Sequence, residues 1–171
     1  VFVDKVRYAI IGCGGIARHY HLRELTNLPE AVFVACADIA VAKAKAMAKE
    51  FGARAHYDDH RTLLEHDDVD AVVVSTWHPT HSAIAADVLE SGRHVLVQKP
   101  MTTNMADADR LVAAAVAGRT TGLKTYCFPF NWTGAFEKWK QPGTCFRSCS
   151  SRACATISSH SASARSCRTT R

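Results

Sequence analysis

Residues 8–17 read Tyr8-Ala9-Ile10-Ile11-Gly12-Cys13-Gly14-Gly15-Ile16-Ala17. Four apolar residues in a row predict a short buried strand, the glycines that follow predict a turn, and residues 15–26 continue with helical spacing. A strand passing through G-x-G-x-x-A into a helix has a mechanical meaning. The first glycine permits the tight turn, the second lets the backbone approach a pyrophosphate, and Ala17 keeps the helix close to its strand. The helix N-terminus adds backbone N–H groups and positive partial charge for the phosphates.

Working outward, the pattern repeats. An apolar run at 32–37 ends at Asp38 and is followed by an Ala/Lys-rich helix over 40–50. Residues 53–57 predict a short strand and 59–66 a helix; 71–74 a strand and 80–91 a helix; 94–97 a strand. The segment 103–118 is a long Ala-rich helix with Met105, Leu111, Val112 and Val116 on its buried side. Continuous apolar strands alternating with helices are the mark of a parallel sheet covered on both faces. The fold class is therefore α/β, a doubly wound Rossmann sheet.

Asp38 closes the second strand 24 residues after Gly14, where its carboxylate would accept hydrogen bonds from an adenosine ribose. It would also repel a 2′-phosphate, and Ile39 and Ala40 supply no cation to receive one. The expected cofactor is NAD rather than NADP. After the 71–74 strand comes Ser75-Thr76-Trp77-His78-Pro79-Thr80-His81, at the sheet end where open α/β folds bind ligands. Thr76 is placed to contact the dinucleotide and Trp77 to cover it. His81 has two readings, a site residue or a ring packed on the first turn of the next helix. Gln98-Lys99-Pro100 ends the following strand at the same edge.

The order of these motifs resembles the glucose–fructose oxidoreductase, inositol dehydrogenase and MocA family (Gfo/Idh/MocA). The likeness rests on Ile11 to Ala17, Asp38, Asp70 to Val74, His81, and above all Ser91-Gly92-Arg93-His94-Val95-Leu96-Val97-Gln98-Lys99-Pro100, which is similar to the family signature G-[KR]-H-V-x-x-E-K-P. It covers about residues 5–141. The resemblance implies an N-terminal Rossmann domain followed by a C-terminal α/β domain that forms the substrate site and often the oligomer contact. It implies a Lys99–Pro100 bond that is often cis. It also implies Lys99 as the catalytic group, hydrogen-bonding a substrate hydroxyl and assisting its proton transfer while hydride passes to the nicotinamide. Cofactor contacts are expected at Gly12, Gly14, Gly15, Ile16, Asp38, Thr76, Trp77, His81, Gln98 and Lys99. Two departures stand out. Gln98 replaces the signature's glutamate, keeping its size while removing a negative charge, and Trp77-His78 replaces the usual Pro-Asn.

Composition fixes what surrounds this unit. The 171 residues carry 21 Lys+Arg against 16 Asp+Glu, and the whole excess lies in residues 142–171, which hold five arginines and no acid. The body is neutral, so a nucleic-acid partner is not expected. No apolar run is long enough to span a bilayer and no signal peptide opens the chain, which predicts a soluble cytoplasmic protein without a membrane partner. Cys13, Cys36 and Cys127 stand in apolar contexts and read as reduced, buried thiols.

From Pro142 onward 25 of 30 residues are Ser, Arg, Cys, Thr or Ala, a composition that builds no core. It reads as a disordered extension or, because the change falls inside a helix just begun at 130–140, as an out-of-frame translation. The tail cysteines lack paired Cys-x2-Cys knuckles, so no metal site is expected. The expected organisation is a dinucleotide-binding domain over 1–120, the truncated start of a substrate domain over 121–141, and an unfolded tail over 142–171. The expected function is NAD(P)-dependent hydride transfer to or from a sugar, polyol or related secondary alcohol, with low activity in this chain. Homo-oligomers are expected only with an intact second domain. The alternative is a non-catalytic dinucleotide-binding sensor or regulatory module.

Overall fold

The computed structural model describes residues 5–65, 68–117 and 123–126. Strands β1 (Val6–Ile11), β2 (Ala31–Ala37), β3 (Ala55–Tyr57), β4 (Ala71–Val74), β5 (His94–Gln98) and β6 (Leu123–Tyr126) form one sheet in the order β3-β2-β1-β4-β5-β6. Every pairing is parallel. Between the strands run α1, a π-helical segment Ala17–Leu22 continuing into Arg23–Leu25, then α2 (Val41–Phe51), α3 (His60–Leu64), α4 (His81–Glu90) and α5 (Met105–Ala117).

The central strands are apolar throughout because both of their faces are covered. Tyr8, Ile10, Phe33, Cys36, Val73 and Leu96 pack with Leu22, Leu25, Ala44 and Met47 of α1 and α2. Ala9, Ile11, Val34, Val72, Val74 and Val97 pack on the other face with Leu63, Val88, Leu89 and Leu111 of α3, α4 and α5. Chain order moves outward from β1 in both directions, with helices on opposite faces for the two halves. The doubly wound α/β architecture is the one expected.

Three differences from the sequence reading appear. β6 pairs with β5 in parallel register from Val95↔Leu123 to Gln98↔Tyr126, so residues 123–126, within the segment 121–141 expected to start a second domain, add a strand to the first sheet. A parallel sixth strand follows from α5 crossing back over the sheet, as the other helices do. Met105 is 56 % exposed rather than buried, because α5 starts there and its inner face is carried by Ala108 and Leu111. The first helix opens with a π-helical turn that apolar spacing does not reveal. The predicted helix at 130–140, Cys127, the remainder of the 121–141 segment and the tail lie outside the described residues.

At the amino-terminal edge of the sheet, Arg7 of β1 grips Asp70 ahead of β4. Its backbone N–H, Nε and Nη2 donate to the carboxylate at 2.8, 3.0 and 2.7 Å. Partial burial pushes the Asp70 carboxyl up, but these bonds from Arg7 outweigh it and hold the group below its ordinary range. The opposite, carboxyl-terminal edge collects Gly12, Asp38, Ser75 and Lys99. Four parallel strands ending there in the same direction bring together residues 87 positions apart in the chain.

Candidate functional site

The glycine turn is held from both sides. Gly12 donates its N–H to Ala37 O at 2.8 Å and has φ +96°, a conformation that favours glycine. A Cβ on Gly12 would stand 2.6–2.7 Å from the backbone of Ser75 and Thr76. Its missing side chain therefore lets β1 abut the loop after β4. Ser75 completes that contact, with its N–H on Ile11 O at 2.8 Å and its hydroxyl on Gly12 O at 2.9 Å. Ser75 was not singled out in the sequence; a small hydroxyl residue directly after a buried strand is the only signal it carries.

Gly14 is different. A Cβ there would meet nothing within 4 Å, and Gly14, Gly15 and Ile16 are all exposed. This is the open side of the turn, where Cβ atoms would intrude on a group laid over the helix N-terminus. The residues present thus fit a pyrophosphate: open backbone above, and the first turns of α1 beneath.

Asp38 is fixed by two backbone donors, Cys13 N–H to Oδ2 and Ala40 N–H to Oδ1, each 2.8 Å. The carboxylate is thereby locked beside the turn, and lone pairs not used by the backbone remain for ribose hydroxyls. Next to it a cleft of about 460 Å³ runs between the glycine turn and α2, with Arg18 and Lys43 on its walls. Those cations were absent from the sequence reading, which looked only at Ile39 and Ala40. Lys43 lies in the first turn of α2, and Arg18, which also pairs with Glu50 at 2.5 Å, comes from a different helix. Ile39, 96 % exposed, and Trp77, 74 % exposed, stand at the ends of β2 and β4 on either side of the turn.

Cys13 and Cys36 are free and buried, as expected. Cys13 Sγ lies 3.6 Å from Ala37 O and Cys36 Sγ 3.3 Å from Ala44 O. Hydrogen bonding to Cys36, together with burial, pushes the Cys13 thiol up, which suits packing rather than nucleophilic attack.

On the β4–β5 side, Thr76 is half-buried, and its hydroxyl shares a hydrogen bond with the Thr80 hydroxyl at 2.8 Å. Lys99 is exposed just beyond β5, its peptide bond to Pro100 is cis, and its side chain makes no ion pair among the described residues. Gln98 is buried, and its Oε1 accepts the Lys99 N–H at 2.9 Å, which leaves its NH2 group to donate. His81 departs from the expectation of a cofactor contact. Its ring is fully buried, with Nδ1 2.8 Å from Pro100 O and Nε2 3.0 Å from Thr76 O, so both ring nitrogens face backbone carbonyls rather than the open edge.

A strand, a glycine turn open above a helix, a fixed carboxylate and a lysine at one sheet edge define a dinucleotide-binding architecture. Residues 6–121 match the model of the Gfo/Idh/MocA oxidoreductase family, NAD-binding Rossmann fold. The chain belongs to this family. Among curated relatives it is 33 % identical over 110 residues to an inositol 2-dehydrogenase/D-chiro-inositol 3-dehydrogenase of Halalkalibacterium halodurans, covering 64 % of this chain and 32 % of the relative.

Two solved structures are also similar. A 3-ketoreductase from Actinomadura kijaniata, in complex with NADP and TDP-benzene, superposes with a TM-score of 0.66 at 34 % identity, over 71 % of this chain and 37 % of the other. A protein of gentamicin A biosynthesis, in complex with NAD, gives 0.67 at 32 % identity, over 73 % and 35 %. The chain spans about a third of the length of the relatives it matches. Its NAD-binding domain is that of an oxidoreductase, and among the described residues no helix is long and apolar enough to cross a membrane.

Proposed function

We propose that the chain grips a nicotinamide dinucleotide along the carboxyl edge of its sheet. The adenosine half lies against Asp38, the pyrophosphate over Gly14, Gly15 and Ile16, and the nicotinamide half near Thr76, Gln98 and Lys99. The observation that carries this reading is the contrast between Gly12, whose Cβ position is filled by backbone, and Gly14, whose Cβ position is open at the helix N-terminus. Trp77 and Ile39 offer exposed apolar surface to the adenine end. The bound nicotinamide supplies hydride acceptance and donation; this chain's residues supply grip, orientation and one proton-handling group. Lys99, an exposed ammonium with no partner carboxylate among the described residues, is that group. Gln98 donates to the adjacent ribose through its NH2.

The parent reaction is reversible oxidation of a secondary alcohol on a sugar, polyol or related cyclic compound. The inositol dehydrogenase and ketoreductase relatives support this substrate class. This chain aligns with about a third of the length of those relatives, and the residues placed above account for the grip on the dinucleotide. NAD is preferred because the fixed Asp38 carboxylate repels a 2′-phosphate. Arg18 and Lys43 on the neighbouring cleft favour a second reading, in which NADP is also accepted.

Calorimetric titration with NAD and NADP in parallel separates them. Binding of NAD at least tenfold tighter supports the first; equal affinity, lost for NADP alone in Lys43→Ala, supports the second. Failure to bind either dinucleotide would contradict the proposed grip.

A further inference from the structure

The ladder between β4 and β5 ends at the pair Val74↔Val97. Beyond it the two chains part. Ser75 turns toward β1 through its bonds to Ile11 and Gly12, while Gln98 remains paired with Tyr126 on β6. Thr76 and Lys99, the residues that the proposed function puts on either side of the nicotinamide half, therefore sit on diverging loops. Among the described residues no backbone hydrogen bond joins those loops.

One side chain spans the gap. His81, fully buried on the first turn of α4, reaches Pro100 O with Nδ1 at 2.8 Å and Thr76 O with Nε2 at 3.0 Å. Each partner is an acceptor, so each contact is a hydrogen bond when the ring nitrogen carries a proton; a neutral ring serves one carbonyl and an imidazolium both. The Thr76 loop is closed on itself by the Thr76–Thr80 hydroxyl pair and by Thr80 donating to Trp77 O at 2.7 Å. His81 is what ties that loop to the turn carrying Lys99.

We propose that His81 is a positioning residue. It sets the spacing between the Thr76 loop and the Lys99–Pro100 turn and touches neither cofactor nor substrate. The consequence for Lys99 rests on the function proposed above; the bracket itself does not.

The test uses the full chain and its His81→Ala, His81→Asn and His81→Gln variants, read by amide hydrogen exchange and by acylation of Lys99 with acetic anhydride with and without NAD. An asparagine amide nitrogen falls near the Nδ1 position and a glutamine nitrogen near Nε2, so each replaces one arm. In the alanine variant, amides at 75–77 and at 99 and 101 should exchange at least tenfold faster, with β1 and β2 unchanged. Asparagine should restore 99 and 101 alone, and glutamine 75–77 alone.

NAD should slow acylation of Lys99 at least fivefold in the parent and less than twofold in the alanine variant. Unchanged exchange at both loops overturns the bracket. So does loosening that spreads equally to β1 and β2, or failure of all three variants to fold, since either marks His81 as ordinary core. If NAD leaves Lys99 unprotected in the parent, the functional reading falls, while the exchange pattern still decides the role of His81.

Discussion

The two halves of the cofactor edge are built by different means. On the β1–β2 side the backbone makes the site: Gly12 presses against Ser75 and Thr76, and Asp38 receives the N–H groups of Cys13 and Ala40. On the β4–β5 side the strands diverge, and a single buried side chain holds the loops together. A backbone-built cradle tolerates almost no change at its contact points but needs no particular side chain elsewhere. The side-chain-built half leaves Thr76, Trp77 and Lys99 open to substitution without loss of the fold.

The largest effect should come from Gly12→Ala. A Cβ within 2.7 Å of backbone and φ of +96° combine strain with overpacking, which predicts a loss of about 4 kcal/mol in urea denaturation and loss of NAD binding. A loss below about 1 kcal/mol would show that the contact between β1 and the β4 loop is soft.

Acid should then weaken the β1 side through His21, buried on α1, whose pKa is lowered to about 4 by burial. The unfolded chain takes up this proton below about pH 6.5 and the folded chain only near 4, so the unfolded state binds more protons in that window. Stability should fall by about 3 kcal/mol from pH 6.5 to 4 and this component should vanish in His21→Gln, as followed by denaturation midpoints.

Gly14→Val sharpens the contrast within the turn itself. With nothing within 4 Å of its Cβ position, the fold should lose no more than about 1 kcal/mol, while NAD affinity falls about 100-fold. The smallest effect belongs to the other half. Lys99→Ala, an exposed substitution, should change stability by less than about 0.5 kcal/mol and NAD affinity less than about threefold.

The same division explains what was legible in the sequence. The cradle could be read from residues 12–17 and Asp38 because only glycine fits a turn that touches backbone, and such a constraint marks the sequence. The position of Lys99 was legible because Gln98 and a cation directly after Val95-Leu96-Val97 mark the end of a buried strand. His81 could be placed on the first turn of α4 but its role could not be read, since nothing in residues 75–81 states that Pro100 O lies 2.8 Å away. Arg18 and Lys43 escaped for the same reason: their meeting at one cleft depends on the packing of α1 beside α2. The place of residues 123–126 in the sheet could not be read, since it depends on α5 crossing back over the sheet.

The central claim is that one dinucleotide spans both halves. Titrating isotopically labelled protein with NAD and following backbone amide resonances tests it directly. The account predicts that amides at 13–17, 38–40, 75–77 and 98–101 shift together along one saturation curve. Shifts confined to 13–17 and 38–40 at saturation, with Thr76 and Lys99 unmoved, would contradict it.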